Sequence, residues 1–441
     1  MRPFSNNINH NHFSLVFVKF AICFLFLGLA YRLISSSFVQ FAPVSVSEAP
    51  FDYVVQKELP PSNITKPPVS DHLKPLHVDN QTSYKGEAKC NIFVGDWIRD
   101  SSGPLYTNNS CNSIELHQNC MKNGRPDRDY LNWRWKPKGC ELPRFNPTSF
   151  LELMKDKSMA FIGDSIMRNH VQSLFCTISQ IAEANEVYHD EHYRSKRWHV
   201  PSYNFTLSVV WSPYMTKSTT FEDDNGVSTG ITQLHLDMLD SVWTQQYDNF
   251  DYVVVAGGKW FLKSAIYYEK NTIVGCHNCK DKNITQLGFY YAYRKAINSV
   301  LSYIMKSNHK VNAFFRTTTP DHFENGEWDT GGYCNRTRPF EEGEVDFVDI
   351  DQNMRKIELE EFQMASAAQS DKGLTLKLFD TAFLSLLRPD GHPGVYRQFQ
   401  PYAEKDKNVH IQNDCLHWCL PGPIDSWNEL MLEMLMNDGK H

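Results

Sequence analysis

The 441-residue sequence has no long run of basic residues, and its 44 Lys and Arg against 51 Asp and Glu give a net charge of −7. This balance excludes the broad positive surface with which nucleic-acid-binding proteins hold phosphates. A Walker-type glycine loop, a dinucleotide fingerprint and an internal repeat are also lacking. With 41% hydrophobic and 22% charged residues, the composition is typical of a globular protein with a substantial core.

The N-terminal part contains an apolar segment, residues 13–34, that is interrupted only by Lys19 and Arg32 among its charged positions. Its length is close to the roughly 20 residues that a helix needs to cross a bilayer. The uninterrupted part, residues 20–31, also suits a secretory signal, but no small-residue cleavage motif follows it closely. We predict an uncleaved signal-anchor helix at 13–34 after a cytosolic tail at 1–12, with a cleaved signal as the alternative.

Glycosylation sequons and cysteines both predict that the chain after this segment lies in an oxidising lumen. Cys23 lies within the apolar segment, which leaves an even number of cysteines, ten, for disulfides; the spacing leaves their pairing open. The six sequons begin at Asn63, Asn80, Asn108, Asn204, Asn283 and Asn335, and the cysteines are Cys90, Cys111, Cys120, Cys140, Cys176, Cys276, Cys279, Cys334, Cys415 and Cys419.

The remaining chain divides into three parts by composition. Residues 35–88 carry seven prolines and little apolar periodicity, which predicts an extended stem. Residues 89–147 carry four cysteines and an aromatic run around Trp133, Arg134 and Trp135, which predicts a compact disulfide-linked module. In residues 148–441, short apolar runs near 159–162, 252–256, 313–315 and 376–379 alternate with helical patterns, which predicts an α/β domain with a mostly parallel sheet.

A Gly163-Asp164-Ser165 turn follows the first apolar run of this domain and precedes a helical pattern. A serine there would lie at the carboxyl end of a strand, with its N–H at a helix start that can stabilise an oxyanion. The motif is short, and a simple helix cap at Asp164 or Ser165 explains it equally well.

A second motif, Asp414-Cys415-Leu416-His417, lies near the C-terminal helix. A serine needs a base to take its proton, and a carboxylate that orients the base makes it effective. An Asp three residues before a His can supply this orientation within one turn. The alternative is a disulfide-linked loop whose His caps the last helix.

Together these motifs resemble the SGNH or GDSL esterase superfamily and, within it, the plant trichome birefringence-like polysaccharide O-acetyltransferases. The resemblance implies a three-layer α/β sandwich with Ser165 as nucleophile, His417 as base and Asp414 as its orienting acid, in a single-pass type II Golgi membrane protein. The other segments that carry it are 90–97, Tyr130 to Trp135, Leu142 to Phe145, Thr319 to Phe323 and Asp390 to Pro393.

The same resemblance implies an oxyanion hole made by the N–H groups of Ser165 and of Gly258, which follows the apolar run at 252–256. A simple turn at Gly257-Gly258 is the alternative. The superfamily's third donor, an Asn, has no clear equivalent after residues 313–315. Arg316 is a candidate for that role or for substrate binding, with a salt bridge as the alternative.

Three further groups of residues have competing interpretations. Trp133, Arg134 and Trp135 are candidates for stacking on and hydrogen bonding a glycan, or for core packing. Asp390 and His392 form another Asp/His pair that we expect at the substrate rim rather than as the catalytic base. The cysteines and histidines of 276–279 and 415–419 suit zinc by spacing, but an oxidising lumen favours disulfides, so no metal is predicted.

The resemblance implies an enzyme that transfers acetyl groups to hydroxyls of a plant cell-wall polysaccharide, with xyloglucan or mannan favoured. No bound cofactor is expected, and the donor is acetyl-CoA or an acetyl group relayed by a protein partner. Two alternatives remain: an acetyl esterase with the same triad, and a non-catalytic wall protein that bridges pectin or other polysaccharides.

Overall fold

The computed structural model describes residues 90–220, 230–368, 373–403 and 411–437. The predicted tail, anchor and stem, together with Asn63 and Asn80, lie outside these residues. Within the described ranges, no helix combines the length and the apolar character that crossing a membrane requires.

The described chain alternates between strands and helices over most of its length. The strands are β1 Gly95–Arg99, β2 Trp133–Pro137, β3 Ser158–Gly163, β4 Asn185–His189, β5 Lys196–Val200, β6 Phe205–Trp211, β7 Thr216–Thr219, β8 Thr232–Leu239, β9 Tyr252–Val255, β10 Ala265–Glu269, β11 Thr272–His277, β12 Asn312–Arg316 and β13 Thr375–Phe379. The helices are α1 Pro147–Leu153, α2 Ser165–Ile178, α3 Ser241–Thr244, α4 Phe289–Lys306, α5 Asp349–Ala367, α6 Ala382–Leu386 and α7 Asp425–Met436.

The central sheet has seven strands in the order β13-β12-β9-β3-β6-β5-β4. The first five run parallel to one another, and β5 and β4 continue the sheet in antiparallel fashion. The four apolar runs read from the sequence are β3, β9, β12 and β13, so the prediction of a mostly parallel α/β sheet is confirmed.

Helices cover both faces of this sheet, because its buried strands carry apolar side chains in both directions. Met159 and Phe161 of β3 pack into the core that contains the apolar residues of α2 and α7. Ala160 and Ile162, which point the other way, pack into the core that contains those of α4 and α5. The described domain therefore has three layers.

A second sheet was not predicted. Its four strands lie in the order β11-β10-β8-β7, with β10 and β8 parallel and the other pairs antiparallel. The strands β4, β5 and β6 were also missed. All five residues of β4 are exposed, so this strand shows no alternation of buried and exposed positions that a sequence pattern could reveal.

The cysteine-rich module is built on the antiparallel pair β1 and β2 and is covalently joined to the α/β domain. The prediction of disulfides is confirmed, since all ten cysteines of the described residues are paired. Cys90–Cys140 lies within the module, whereas Cys111–Cys176 and Cys120–Cys419 connect it to α2 and to the loop before α7; the other pairs are Cys276–Cys279 and Cys334–Cys415. The zinc interpretation of 276–279 and 415–419 is therefore wrong.

The four described sequons begin at surface positions. Asn204, Asn283 and Asn335 are exposed and Asn108 is half-buried. Asn204 has a left-handed backbone, with a φ of 46°, and its amide donates to the carboxylate of Asp156 at 3.0 Å. Glycosylation at these positions stays a prediction.

Candidate active site

Ser165 is the first residue of α2, directly beyond the carboxyl end of β3. Gly163 is the last residue of β3 and lies close to the chain that follows the neighbouring strand β9. A Cβ on Gly163 would lie 2.3 Å from the carbonyl oxygen of Ala256. Asp164 caps the helix by accepting the N–H of Ile166 at 3.0 Å. The interpretation as a helix cap is therefore correct for Asp164. Because Asp164 is the cap, the hydroxyl of Ser165 is free to face the loop after residue 410.

His417 brings the second motif to this hydroxyl. Its Nε2 lies 2.7 Å from Ser165 Oγ, and its Nδ1 lies 2.9 Å from Asp414 Oδ2. A proton on Nδ1 donates to the carboxylate, which leaves the lone pair of Nε2 to accept the serine O–H. The three residues that the resemblance assigned to a triad therefore form one continuous hydrogen-bonded chain.

The charges in this chain stabilise each other. Burial alone would raise the pKa of Asp414, but the charge and hydrogen bond of His417 and the charge of Arg397 outweigh burial and hold this pKa well below its usual range. Burial alone would lower the pKa of His417, but the carboxylate of Asp414 outweighs burial and raises it above 6.5. Asp414 therefore stays ionised and stabilises the imidazolium that forms when His417 takes a proton.

The backbone around His417 is held to α2 by a residue that sequence analysis missed. Asn169 lies one turn after Ser165 and is fully buried. Its Oδ1 accepts the N–H of Trp418 at 2.7 Å, and its Nδ2 donates to the carbonyl of Trp418 at 3.2 Å. The i+4 spacing from Ser165 was the available signal, because it places Asn169 on the same helix face as the serine.

Burial argues against substrate contacts by His392 and Trp135 and against a position of Asp390 at the substrate rim. His392 is only 4% exposed; its ring stacks on Trp418 at 4.3 Å and its Nδ1 donates to the carbonyl of His417 at 2.7 Å. Asp390 is also buried, in an ion pair with Arg388 at 2.8 Å. Asp390 and His392 therefore lie on the buried side of the loop that contains His417 and do not form the substrate rim. Trp135 is fully buried in the core, which supports the packing interpretation.

A cleft of about 270 Å³ opens beside Ser165 and contains the predicted oxyanion residues. Gly258 and Trp260 border it on the loop after β9, and Arg316 borders it at the end of β12. A Cβ on Gly258 would lie 3.1 Å from Asp164 Oδ2 and 3.3 Å from Thr318 Cγ2, so a larger residue would crowd this wall. Trp133 and Arg134 do not border this cleft; they line a separate cavity.

Arg316 is 1% exposed, and the alternative of a salt bridge is not the arrangement found among the described residues. Its Nη1 donates to the carbonyl of Thr317 at 3.0 Å, its Nε lies 3.4 Å from the sulfur of Met167, and the ring of Trp427 lies 5.0 Å away. Burial lowers its pKa, and the charges of Asp164 and Glu358 act in the opposite direction. The cleft thus has a desolvated cation next to Ser165.

A buried network behind the cleft fixes the loop of Gly258. Thr318 donates from Oγ1 to the carbonyl of Gly257 at 2.7 Å, and its N–H donates to Glu358 at 2.8 Å. The hydroxyl of Tyr293 donates to the same carboxylate at 2.5 Å, and burial raises the pKa of Glu358 to about 7. Nothing in the sequence pattern of α5 pointed to Glu358, because its role depends on the packing of α5 on α4.

Comparisons with known proteins agree with this fold. Residues 142–434 match the model of a GDSL/SGNH-like acyl-esterase family found in Pmr5 and Cas1p, and residues 88–141 match the PMR5 N-terminal domain. The chain belongs to this acyl-esterase family.

Its relatives include plant proteins of similar length. Protein trichome birefringence-like 25 of Arabidopsis thaliana is 52% identical, over 99% of this chain and 95% of the relative. Xyloglucan O-acetyltransferase 1 of Arabidopsis thaliana is 44% identical over 79% of this chain and 81% of the relative. The protein of the same name from Populus trichocarpa is 41% identical over 85% and 88%.

We predict that replacing Asp414 by Asn moves the His417 titration in a defined direction. In the unmodified protein the midpoint lies above 6.5, because the carboxylate raises this pKa. In Asp414→Asn the midpoint falls below 6.5, since burial and Arg397 are then opposed only by the weaker effect of the Asp164 charge. Imidazole NMR signals measure both midpoints, and His417→Gln identifies the His417 signal. An unchanged midpoint in Asp414→Asn would contradict the coupling.

Proposed function

We propose that this protein is an O-acetyltransferase that acetylates hydroxyls of a plant cell-wall polysaccharide, with xyloglucan or mannan as the favoured acceptor. The observation that carries the proposal is the contact of 2.7 Å between Ser165 Oγ and His417 Nε2 in a chain with two xyloglucan O-acetyltransferase relatives. The triad role of these residues is part of the proposal.

In the first half-reaction, Ser165 takes the acetyl group. His417 Nε2 accepts the proton of Ser165 as Oγ attacks the acetyl carbonyl carbon, and the imidazolium is stabilised by Asp414. The bond from this carbon to the donor's leaving atom then breaks, and the leaving group takes the proton from His417. The products are acetyl-Ser165 and the protonated leaving group, which is a thiol if the donor is acetyl-CoA.

In the second half-reaction, a sugar hydroxyl takes the acetyl group. His417 accepts the hydroxyl proton as the sugar oxygen attacks the acetyl-serine carbonyl. The bond from this carbon to Ser165 Oγ breaks, and His417 returns the proton to Oγ. The sugar ester leaves and the serine is restored.

Both half-reactions pass through an oxyanion, and we assign three groups to it. The N–H of Ser165 lies in the first turn of α2, where backbone N–H groups have no partner within the helix. Gly258 and Arg316 border the same cleft, and we assign the Gly258 N–H and the Arg316 guanidinium to the oxyanion. A desolvated cation stabilises a developing negative charge far more than a solvated one does, because the surrounding dielectric is low. Arg316 is therefore our candidate for the third donor.

An acetyl esterase with the same residues is the second candidate, and the family's description as acyl-esterases favours it. The two activities differ only in whether water or a sugar attacks acetyl-Ser165. Trp260 borders the cleft, and the ring of Trp211 meets it edge-on at 5.3 Å. Trp260 offers apolar surface to a sugar ring in the cleft of the serine, and Trp211 packs against it, which supports transfer. A non-catalytic binder has no need of the Ser165–His417–Asp414 chain.

The cellular setting is also a proposal. A single-pass type II protein of the Golgi membrane fits the apolar segment at 13–34 and the sequons, and an oxidising lumen fits five disulfides. The acetyl donor is acetyl-CoA or an acetyl group delivered by a protein partner.

We expect Ser165→Ala to lose at least about 1,000-fold in transfer rate, because no other group supplies the nucleophile. Mass spectrometry of xyloglucan, mannan, xylan and pectin oligosaccharides after incubation with acetyl-CoA and the protein measures the transfer. Product on one glycan that is absent with the variant supports the transferase and names its acceptor. Ser179→Ala, which removes a partly buried hydroxyl after the end of α2, is the matched control with unchanged transfer.

Two results would contradict this proposal. Loss of acetyl groups from acetylated glycans without any transfer would identify an esterase. Full transfer by Ser165→Ala would remove the acetyl-serine step.

We expect Arg316→Met to lower kcat by about 100- to 1,000-fold, the usual cost of removing one oxyanion donor. The free energy of unfolding should fall, because the charge of Arg316 stabilises the buried carboxylate of Asp164 and its removal leaves that carboxylate without this counter-charge. Transfer kinetics and urea unfolding measure the two quantities. Arg336→Met, which removes a partly exposed arginine paired with Glu344, is the control. Transfer by Arg316→Met at the unmodified rate would exclude Arg316 from the oxyanion hole.

A further inference from the structure

A second cavity lies between the cysteine-rich module and the α/β domain. Trp133 and Arg134 of β2 line it from the module, and Asp425 and Glu429 of α7 line it from the domain. Thr177 of α2 also borders it, twelve residues after Ser165. At the rise of an α-helix this is about 18 Å, so a ligand confined to the cavity does not reach the serine.

The cavity collects buried polar atoms that have no hydrogen-bond partner among the described residues. Native structures leave few such atoms, so several around one space indicate that a polar occupant belongs there. Tyr130 is 1% exposed, Arg388 is fully buried and Glu429 is 8% exposed, which keeps bulk water from satisfying these groups. The unpartnered atoms are Tyr130 Oη, Trp133 Nε1, Arg134 Nε, Arg144 Nε, Arg388 Nη1 and Glu429 Oε2.

Carboxylates line the cavity together with arginines, which argues against an anionic occupant. Three arginines, at 134, 144 and 388, face three carboxylates, at 100, 425 and 429. Arg388 is held by Asp390 at 2.8 Å, and Arg144 by Asp100 at 3.0 Å. Of these three arginines, Arg134 alone has no ion pair within 4.0 Å among the described residues, so an added negative charge would gain this one cation while meeting the carboxylates of Asp425 and Glu429.

A neutral polyhydroxyl compound fits both kinds of unpartnered atom. Each hydroxyl donates and accepts, so one ring with several hydroxyls can accept from the indole and guanidinium N–H groups and donate to Glu429. The side chains of Tyr106 and Phe145 also line the cavity and add apolar surface for the carbon faces of a sugar ring.

We propose that this cavity binds one pyranose unit of a neutral glycan, apart from the cleft that contains Ser165. The choice of the acceptor polysaccharide as the source of that unit rests on the proposed function. A polysaccharide held here keeps one part of its length on the protein while another part reaches the serine. Affinity for long acceptors then exceeds affinity for short ones without new contacts at the serine.

Tyr130→Phe tests this site because it removes one unpartnered oxygen and keeps the ring. Burial raises the pKa of Tyr130 to about 12, so its hydroxyl keeps its proton and can donate to a sugar oxygen. Tyr247→Phe is a matched control, since its hydroxyl is also buried and unpartnered among the described residues but lies in the core on the other face of the sheet. Neither substitution breaks a described hydrogen bond, so both variants should fold.

Titration calorimetry on the full chain, with Ser165→Ala present in every sample, measures the dissociation constant for a xyloglucan or mannan oligosaccharide. We expect Tyr130→Phe to weaken binding about 3- to 10-fold, the effect of one hydrogen bond, and Tyr247→Phe to leave it unchanged. Equal constants for the two variants would overturn the proposal and leave a cavity that holds water only. Tighter binding of a uronate oligosaccharide than of the neutral one would also overturn it.

The outcome is separable from the outcome for the proposed function. Binding is measured where Ser165 is absent, so it needs no catalysis. Glycan binding that depends on Tyr130 would stand even if the unmodified protein transfers no acetyl group, and transfer would stand even if binding ignores Tyr130.

Discussion

The hydrogen bonds between Asn169 and the backbone of Trp418 are the contact on which the rest of the site depends. Ser165 and His417 are 252 residues apart in the chain, yet their reacting atoms lie 2.7 Å apart. The side-chain amide of Asn169 both donates to and accepts from the backbone of Trp418, which joins the two segments. Disulfides at Cys415 and Cys419 hold the loop on either side of His417. Crosslinks that close such long loops favour the folded state chiefly by restricting the unfolded chain.

The parallel sheet supplies the remaining groups. The strands β3, β9 and β12 are neighbours, so the residues that follow them meet at one edge of the sheet. Ser165, Gly258 and Arg316 reach the same cleft for this reason, although 93 and 58 residues separate them along the chain. The network of Thr318 and Glu358 then fixes the glycine loop from behind. The positions of these residues therefore depend on the order of the strands in the sheet and not on any single sequence motif.

Much of this arrangement was predictable from the sequence because its signals are local. The runs that became β3, β9, β12 and β13 are short and apolar, and the motifs at Ser165 and His417 combine with a family resemblance. Other parts depend on contacts between distant segments. The residues next to Glu358 and Asn169 in the sequence do not indicate what these two side chains contact. His392 lies in a Pro- and Gly-rich turn, which suggested an exposed position, but the ring of Trp418 covers it. The second sheet was missed because its longest strand, β8, mixes polar with apolar residues in the sequence TQLHLDML and so lacks the continuous apolar run that marked β3, β9 and β12.

The central claim is that Ser165 carries the acetyl group between donor and acceptor. Peptide mass spectrometry after acid quenching tests it most directly, on protein incubated with p-nitrophenyl acetate in the absence of a glycan. The account predicts one added acetyl group on the peptide that contains Ser165, and its disappearance when an acceptor oligosaccharide is added before the quench. Acetylated glycan formed while acetyl-Ser165 never accumulates, together with transfer by Ser165→Ala, would contradict the account.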